Sequence, residues 1–289
     1  MKDRVLVTDE MLRGLQLTEL EMAVEVDRIC HKNGIRYSLD GGTLLGAVRH
    51  QGFIPWDDDM DIIFTREEYD KFFLACQKDL NREKFFLQEY RTDPYYRWGY
   101  AKMRRKGTEF VRLGQEHMRY RTGVAIDIFV LDHVPDAFLG RRLHFFANYV
   151  IRKILYSELG KKSEHHVLAR MWYMLLDLIP RDMCFWLRNA ISRVVNRYPT
   201  ELVGHLLFPY PNPKSCKYGI GADIFRHYEE ISFEGMMFSA VKEYDKYLTL
   251  LYGDYMTLPP VEKRESHNPA SGIQLLPITL EQVKKGYRA

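Results

Sequence analysis

Four aspartates, Asp57, Asp58, Asp59 and Asp61, stand within five residues, directly ahead of the apolar run Ile62-Ile63-Phe64. Carboxylates this close repel one another unless a metal ion, a basic side chain or bulk water relieves them. Alternate side chains of a strand share a face, so a strand from Asp59 to Phe64 sets Asp59 and Asp61 against Met60, Ile62 and Phe64. A second predicted strand, Val124–Leu131, puts Asp127 opposite the face made by Val124, Ile126, Ile128 and Val130. An acid there is costly to bury without a partner, and a neighbouring strand carrying a metal pair would supply one. Upstream, Gly41-Gly42-Thr43 opens a predicted helix ending at His50, with Thr43 near its N-cap. The backbone N–H groups at Gly42 and Thr43 would face a phosphate. Together these residues suit a divalent cation, magnesium or manganese in its place, shared with phosphate oxygens. Such a metal lowers the pKa of an attacking hydroxyl. The alternative is a solvated acidic loop, with Asp127 paired to an arginine.

Basic groups lie nearby in sequence. Lys102 and Arg104 alternate on a predicted strand, Arg97–Arg104, and can both face the same cleft, where a cation stabilises charge on a transferred phosphate. The structural alternative is an ion pair with the acids. Arg49 and His50 follow the glycine helix and face either the diphosphate or solvent. Arg264 and His267 either close over the site or belong to a surface tail.

The elements that position these residues are legible in outline. Helical spacing runs from Leu15 to Asn33, with Asn33-Gly34 as a stop, and Ile35–Leu39 reads as a short strand. Thr65 caps a predicted helix to Leu80, and Lys84–Tyr90 reads as another strand. This alternation predicts an α+β fold, a small mixed sheet with helices, in a catalytic core over residues 1–135. Residues 136–289 read as a mainly helical second part completing the cleft. Helix-compatible sequence runs from Phe138 to Tyr198, broken at Leu159-Gly160 and Pro180, then a loop to Pro213, a helix over Ser239–Leu251 and an irregular end.

The chain has 289 residues, room for a substantial core, and a net charge of +3, which by itself gives no case for nucleic acid. Its four cysteines are scattered without ligand spacing, against a structural zinc or a disulfide scaffold. No apolar run is long enough to span a bilayer and no secretory signal is visible, so a cytoplasmic protein is expected. The segment Arg141–Tyr156 is basic and amphipathic, which suits either packing within the domain or the inner face of an anionic membrane.

The segment Leu39-Asp-Gly-Gly-Thr-Leu-Leu-Gly-Ala-Val-Arg-His, followed by Gly52-Phe-Ile-Pro-Trp-Asp-Asp-Asp-Met-Asp-Ile, resembles the hallmark of the LicD family. The likeness continues in Ala101-Lys-Met-Arg, Ile126-Asp-Ile-Phe and Leu251-Tyr-Gly-Asp-Tyr-Met-Thr-Leu-Pro-Pro, covering roughly residues 20 to 268. It implies a nucleotidyltransferase-like fold with a metal-binding acid triad, matched here by Asp59, Asp61 and Asp127. It also implies a glycine turn at the phosphates, matched by Gly41, Gly42 and Thr43. The implied activity is transfer of phosphocholine, or a similar polar-alcohol phosphate, from a CDP-linked donor such as CDP-choline. The acceptor would be a sugar hydroxyl of teichoic acid, lipopolysaccharide or a capsule precursor, lipid-linked in some cases, with CMP released. A choline headgroup could bind the aromatic faces of Trp56 or Trp98, although in a chain with this many aromatics a single ring is more often core. The rivals are transfer of a nucleoside monophosphate, or a non-catalytic binding protein on the same fold.

Overall fold

The computed structural model describes residues 4–205, 211–212, 217–264 and 268–287. Helix α1 (Asp9–Asn33) begins where the Thr8 hydroxyl accepts the Met11 N–H at 3.2 Å and ends at Gly34, whose φ of +63° closes the last turn. It starts six residues before the apolar stripe becomes readable. Strand β1 (Ser38–Leu39), helix α2 (Gly41–His50), strand β2 (Asp61–Thr65) and helix α3 (Arg66–Asp79) follow. Then come β3 (Phe85–Gln88), β4 (Ala101–Arg105), β5 (Glu109–Arg112) and the long β6 (Ala125–Val134). Three helices succeed them: α4 (Phe138–Ser163), α5 (Val167–Leu176) and α6 (Arg181–Val195).

The chain then returns to strands, where a loop, a helix and an irregular end were expected. These are β7 (Leu202–His205), the small pair β8 (Pro211–Asn212) and β9 (Lys217–Tyr218), and β10 (Ile220–Gly221). Next are the hairpin β11 (Tyr228–Phe233) and β12 (Met236–Val241), α7 (Tyr244–Tyr252), β13 (Ala270–Gln274) and α8 (Leu280–Gly286). The predicted helix over Ser239–Leu251 is therefore helical from Tyr244 onward, its first three residues belonging to β12. Its hairpin turn is Glu234-Gly235, both at positive φ, a two-residue geometry usually signalled by Asn or Gly at the first position. Glu234 is held there by Arg13, which donates to it at 2.7 and 3.1 Å, and by the Phe53 N–H.

The main sheet runs β1-β2-β6-β4-β3. Among the described residues only β2 and β6 are parallel, pairing Asp61 with Asp127 through to Thr65 with Leu131. On its other edge β6 pairs first with β4 and then, from Leu131, with β7. Both faces of β2 are buried at Ile62, Ile63 and Phe64, as a central strand flanked by helices requires. One apolar cluster unites α1, α2, α3, the sheet, the β11–β12 hairpin, α7 and α8. A second, of Ile151, Ile154, Leu155, Tyr173, Leu176, Cys184 and Phe185, holds α4, α5 and α6 together.

Polar anchors bind these three helices to the sheet. Asp132 is fully buried on β6 and accepts from Arg66 at 2.7 and 2.8 Å, from Ser192 at 2.6 Å and from Asn196 at 2.6 Å. Burial alone would raise the Asp132 carboxyl, but the Arg66 guanidinium and these hydrogen bonds hold it well below the usual carboxylate range. Arg97 likewise donates to the carbonyls of Ile154 and Leu155 at 3.1 and 3.0 Å.

Replacing Asp132 with Ala leaves the half-buried Arg66 with only the more distant Asp70, and strips Ser192 and Asn196 of their acceptor, which should cost roughly 3 kcal/mol in chemical denaturation. In the parent protein this anchor's stabilisation is complete above the unfolded carboxylate pKa of about 3.9. It is lost as pH falls towards the depressed native value, so the gap between parent and Asp132→Ala should close in acid.

Candidate active site

The acids meet at the carboxyl side of the loop before β2. The strand begins at Asp61 rather than Asp59, so Asp59 precedes the ladder, yet both acids line the same cavity. Asp57, Asp58 and Asp59 also each offer an oxygen within 4.8 Å of the others. Asp57 and Asp58 are buried, which overturns the picture of a solvated loop. The loop is pinned by side chains from distant elements. Gln16 on α1 donates to the Asp57 carbonyl at 3.0 Å. The Asn268 N–H donates to Asp58 at 3.1 Å, and its amide donates to Asp58 at 3.3 Å and to Asp59 at 3.1 Å.

Crowding shows in the protonation of these groups. Burial, then the charges of Asp59 and Asp58, push Asp57 up to about 8. Asp59 is raised by burial first and then by Asp127, and Asp61 by burial first and then by Asp59 and Asp127. Behind them Glu19 of α1 is buried, with Oε2 lacking any hydrogen-bond partner, and it is raised by burial and the four aspartates. An all-oxygen donor set, buried and self-repelling, fits a hard divalent cation such as magnesium.

Positive charge closest to Asp127 comes from β4 and β5. Lys102 and Asp127 face each other in the β4–β6 register and form an ion pair. Burial lowers the Lys102 ammonium to about 8 despite that partner. Arg104, on the same face, is buried and donates to Gln88 and to the Gly123 carbonyl. Arg112 of β5 lines the same space, where Asp127 and Asp59 outweigh the lowering effect of burial on its guanidinium.

The double glycine is sterically tied to the acids. A Cβ at Gly42 would lie 2.8 Å from an Asp57 carboxylate oxygen, and one at Gly41, where φ is +48°, would lie 3.4 Å from an Asp61 oxygen. These glycines form the first turn of α2, whose N-cap is Asp40 rather than Thr43. Thr43 turns its hydroxyl to the strand and accepts the Asp61 N–H at 2.8 Å. Asp40 accepts from Tyr247 at 2.6 Å.

Two cavities meet at Asp59. One, of about 480 Å³, is lined by Gly42, Arg49, Trp56, Asp57, Asp59, Asp61, Tyr252, Tyr255 and Lys263. Arg49 is fixed there by donating to the Tyr255 carbonyl at 2.7 Å, and Arg264 lies over the Trp56 ring at 5.1 Å. The other is narrower and includes Asp59, Trp98, Tyr100, Lys102, Arg104, Arg112 and Asp127. Trp98 and Tyr100 continue into an apolar groove of about 490 Å³ that ends on Tyr149, Arg152 and Lys153 of α4. The structure thus brings together all the sequence-derived candidates except Thr43, which points to the back, and His267, which lies outside the described residues. Asp57, Asp58, Glu19, Arg112 and Asn268 are the residues that sequence reasoning missed. The aspartates were visible in the acidic run, and the others carry no local signal.

Residues 34–130 match the family model described as LicD/FKTN/FKRP, nucleotidyltransferase domain. The chain is 28% identical over 279 residues to the lipopolysaccharide cholinephosphotransferase LicD of Haemophilus influenzae, spanning 89% of this chain and 96% of that protein. Over 42 residues it is 50% identical to the ribitol 5-phosphate transferase FKRP of Homo sapiens, 14% of this chain and 8% of that protein.

The crowding makes a testable prediction. Asp57 has a native pKa of about 8, above its unfolded value, so its ionisation penalises the folded state increasingly as pH rises from about 4 to about 8. In metal-free buffer Asp57→Asn should therefore raise the melting temperature, by a margin that grows over that window and levels off above it. Added magnesium should stabilise the parent more than this variant. A variant no more stable than the parent at pH 8 would contradict the crowding.

Proposed function

We propose that this chain, whose residues 34–130 match the LicD/FKTN/FKRP family model, transfers a substituted phosphate, such as phosphocholine, from a CDP-linked donor to a sugar hydroxyl of a cell-surface glycan. The observation that carries this reading is the meeting of two cavities at one acid cluster, with Asp59 in both. A phosphotransferase has to hold donor and acceptor on opposite sides of one phosphorus. The relatives named as cholinephosphotransferase and ribitol 5-phosphate transferase support this class of chemistry.

The first cavity suits the donor. Gly41 and Gly42 open α2 there, and Arg49, Lys263 and Arg264 supply the positive charge a diphosphate needs. Asp57, Asp59 and Asp61 would hold magnesium, which when bound neutralises the phosphate oxygens and polarises the reacting phosphorus. The second cavity suits the acceptor. Its hydroxyl oxygen attacks the phosphorus bearing the alcohol, the bond from that phosphorus to the bridging oxygen breaks, and CMP leaves. Asp127 takes the hydroxyl proton, and its ion pair with Lys102 aims that carboxylate. The core over residues 1–135 supplies the acids, while Tyr252, Tyr255, Arg264 and Asn268 from the later region complete the walls. A nucleotidyltransferase-like fold accords with that division.

A lipid-linked acceptor would bring the protein to a membrane, and α4–α6 are built for one. Across 138–198 there are eleven Lys or Arg and four Asp or Glu, a balance of +7 within a chain of +3. Yet Leu139, Leu143, Phe146, Leu168, Trp172, Leu175, Leu178 and Trp186 are all more than half exposed. Helix α5, Val-Leu-Ala-Arg-Met-Trp-Tyr-Met-Leu-Leu, has one charge and buries only Tyr173 and Leu176. No described helix is long and apolar enough to cross a membrane, so this basic, aromatic-rich face would lie in the headgroup layer.

Asp59→Asn or Asp61→Asn should fold normally by circular dichroism and lower CMP release from CDP-choline or CDP-ribitol with magnesium by roughly a thousandfold. Mass spectrometry separates the rival chemistry: pyrophosphate release from a nucleoside triphosphate in place of CMP would favour nucleotidyl transfer. For the membrane face, the parent should float with vesicles containing phosphatidylglycerol and less with pure phosphatidylcholine, and Trp172→Glu with Leu175→Glu should stay in solution. Parent protein that ignores both vesicles would refute that contact.

A further inference from the structure

A third cavity, of about 380 Å³, lies on the far side of Trp98, Gly99 and Tyr100 from the acid cluster. Four arginines line it: Arg66, Arg91, Arg188 and Arg193. Three of them are accounted for. Arg66 is engaged by Asp132, Arg91 donates to Glu89 at 2.7 to 2.9 Å, and Arg193 is exposed at the rim.

Arg188 is different. It sits on α6 with 5% of its surface exposed, its Nε has no hydrogen-bond partner, and it makes no ion pair with any described residue. The carboxylates within reach are committed elsewhere. Asp132 accepts from Arg66, Ser192 and Asn196 and reaches Arg188 only through its charge, Glu89 accepts from Arg91, and Asp70 lies 3.8 Å from Arg66. A guanidinium buried without an acceptor is strongly unfavourable, and an anion in the adjoining cavity would relieve it.

We propose that this cavity binds a phosphate group carried on a sugar. A guanidinium fork matches phosphate oxygens two at a time. The volume exceeds what a bare ion needs, and the tyrosine and tryptophan walls, Tyr69, Tyr90, Trp98 and Tyr100, suit the faces of a sugar ring. Trp98 and Tyr100 also wall the cavity holding Lys102 and Asp127, so a ligand held by Arg188 lies next to the proposed acceptor site. The inference rests on the phosphotransferase reading in taking this ligand as a neighbouring phosphorylated unit of the acceptor glycan. The binding itself does not depend on that reading.

The test uses the full chain without donor or divalent metal, so its outcome is independent of CMP release. Calorimetry with a hexose phosphate and with inorganic phosphate, at constant ionic strength, should show binding by the parent. The affinity should fall about tenfold or more in Arg193→Gln and vanish in Arg188→Met. Arg188→Met removes an unpaired buried charge, so it should be at least as stable as the parent in anion-free buffer, and phosphate should raise the melting temperature of the parent alone. Tighter binding of the hexose phosphate than of inorganic phosphate assigns the site to a phosphorylated sugar. Equal affinities overturn the sugar assignment, and no binding of either ligand, or undiminished binding by Arg188→Met, overturns the site.

Discussion

The structure is organised around like charge that cannot be dispersed. Asp57, Asp58, Asp59 and Asp61 are gathered, largely buried, against Glu19 and Asp127, while Lys102 and Arg112 approach Asp127 from β4 and β5. Left to itself such a cluster would unfold the loop that carries it, since each added carboxylate raises the cost of ionising the next. The loop is instead clamped from three directions, by Gln16 on α1, Asn268 near the C-terminal end and Thr43 on α2. Each clamp belongs to a different part of the chain. Holding the acids together is what makes the ends of the sequence return to its middle.

The same constraint explains the glycines. Their usual reading is backbone approach to a phosphate, and the first turn of α2 offers that. Gly42 has a second reason, because any side chain there would strike the Asp57 carboxylate. The turn and the acids share one volume, so a side chain at Gly42 would require the Asp57 carboxylate to move. Asp127 enters that volume because β6 is parallel to β2 in a register that sets it beside Asp61, while β4 sets Lys102 opposite it.

How much of this was legible in the sequence follows from the range of each interaction. The alternation of strand and helix through residue 135, the acidic run, the glycine turn and the odd placement of Asp127 are local patterns, and they were readable. The start of β2 was misplaced by two residues, because the period-2 pattern of Asp59–Phe64 continues past the point where the ladder begins. The region after residue 199 was largely misread. Its strands are two to six residues long, and the β11–β12 turn uses Glu at a position where Asn or Gly would have announced it. Glu19, Arg112 and Asn268 were invisible because tertiary contact alone gives them meaning.

The helices α4–α6 reverse the ordinary logic of an amphipathic segment. Such a helix buries its apolar stripe against its own domain and offers polar groups to water. Here the attachment to the sheet is largely polar, through Asp132 to Ser192 and Asn196 and through Arg97 to the α4 carbonyls, while much of the apolar surface faces outward. Seven buried apolar residues form the segment's own core, too few to occupy the leucines, methionines and tryptophans it carries. The orientation therefore comes from hydrogen bonds, which fix direction, and the hydrophobic surface is left free to meet something else. The groove from Tyr149 and Lys153 back past Trp98 to Asp127 joins that free surface to the acids. A substrate held at a bilayer and reacting at Asp59 would need a path of this kind, which links the outward-facing helices to the chemistry at the sheet.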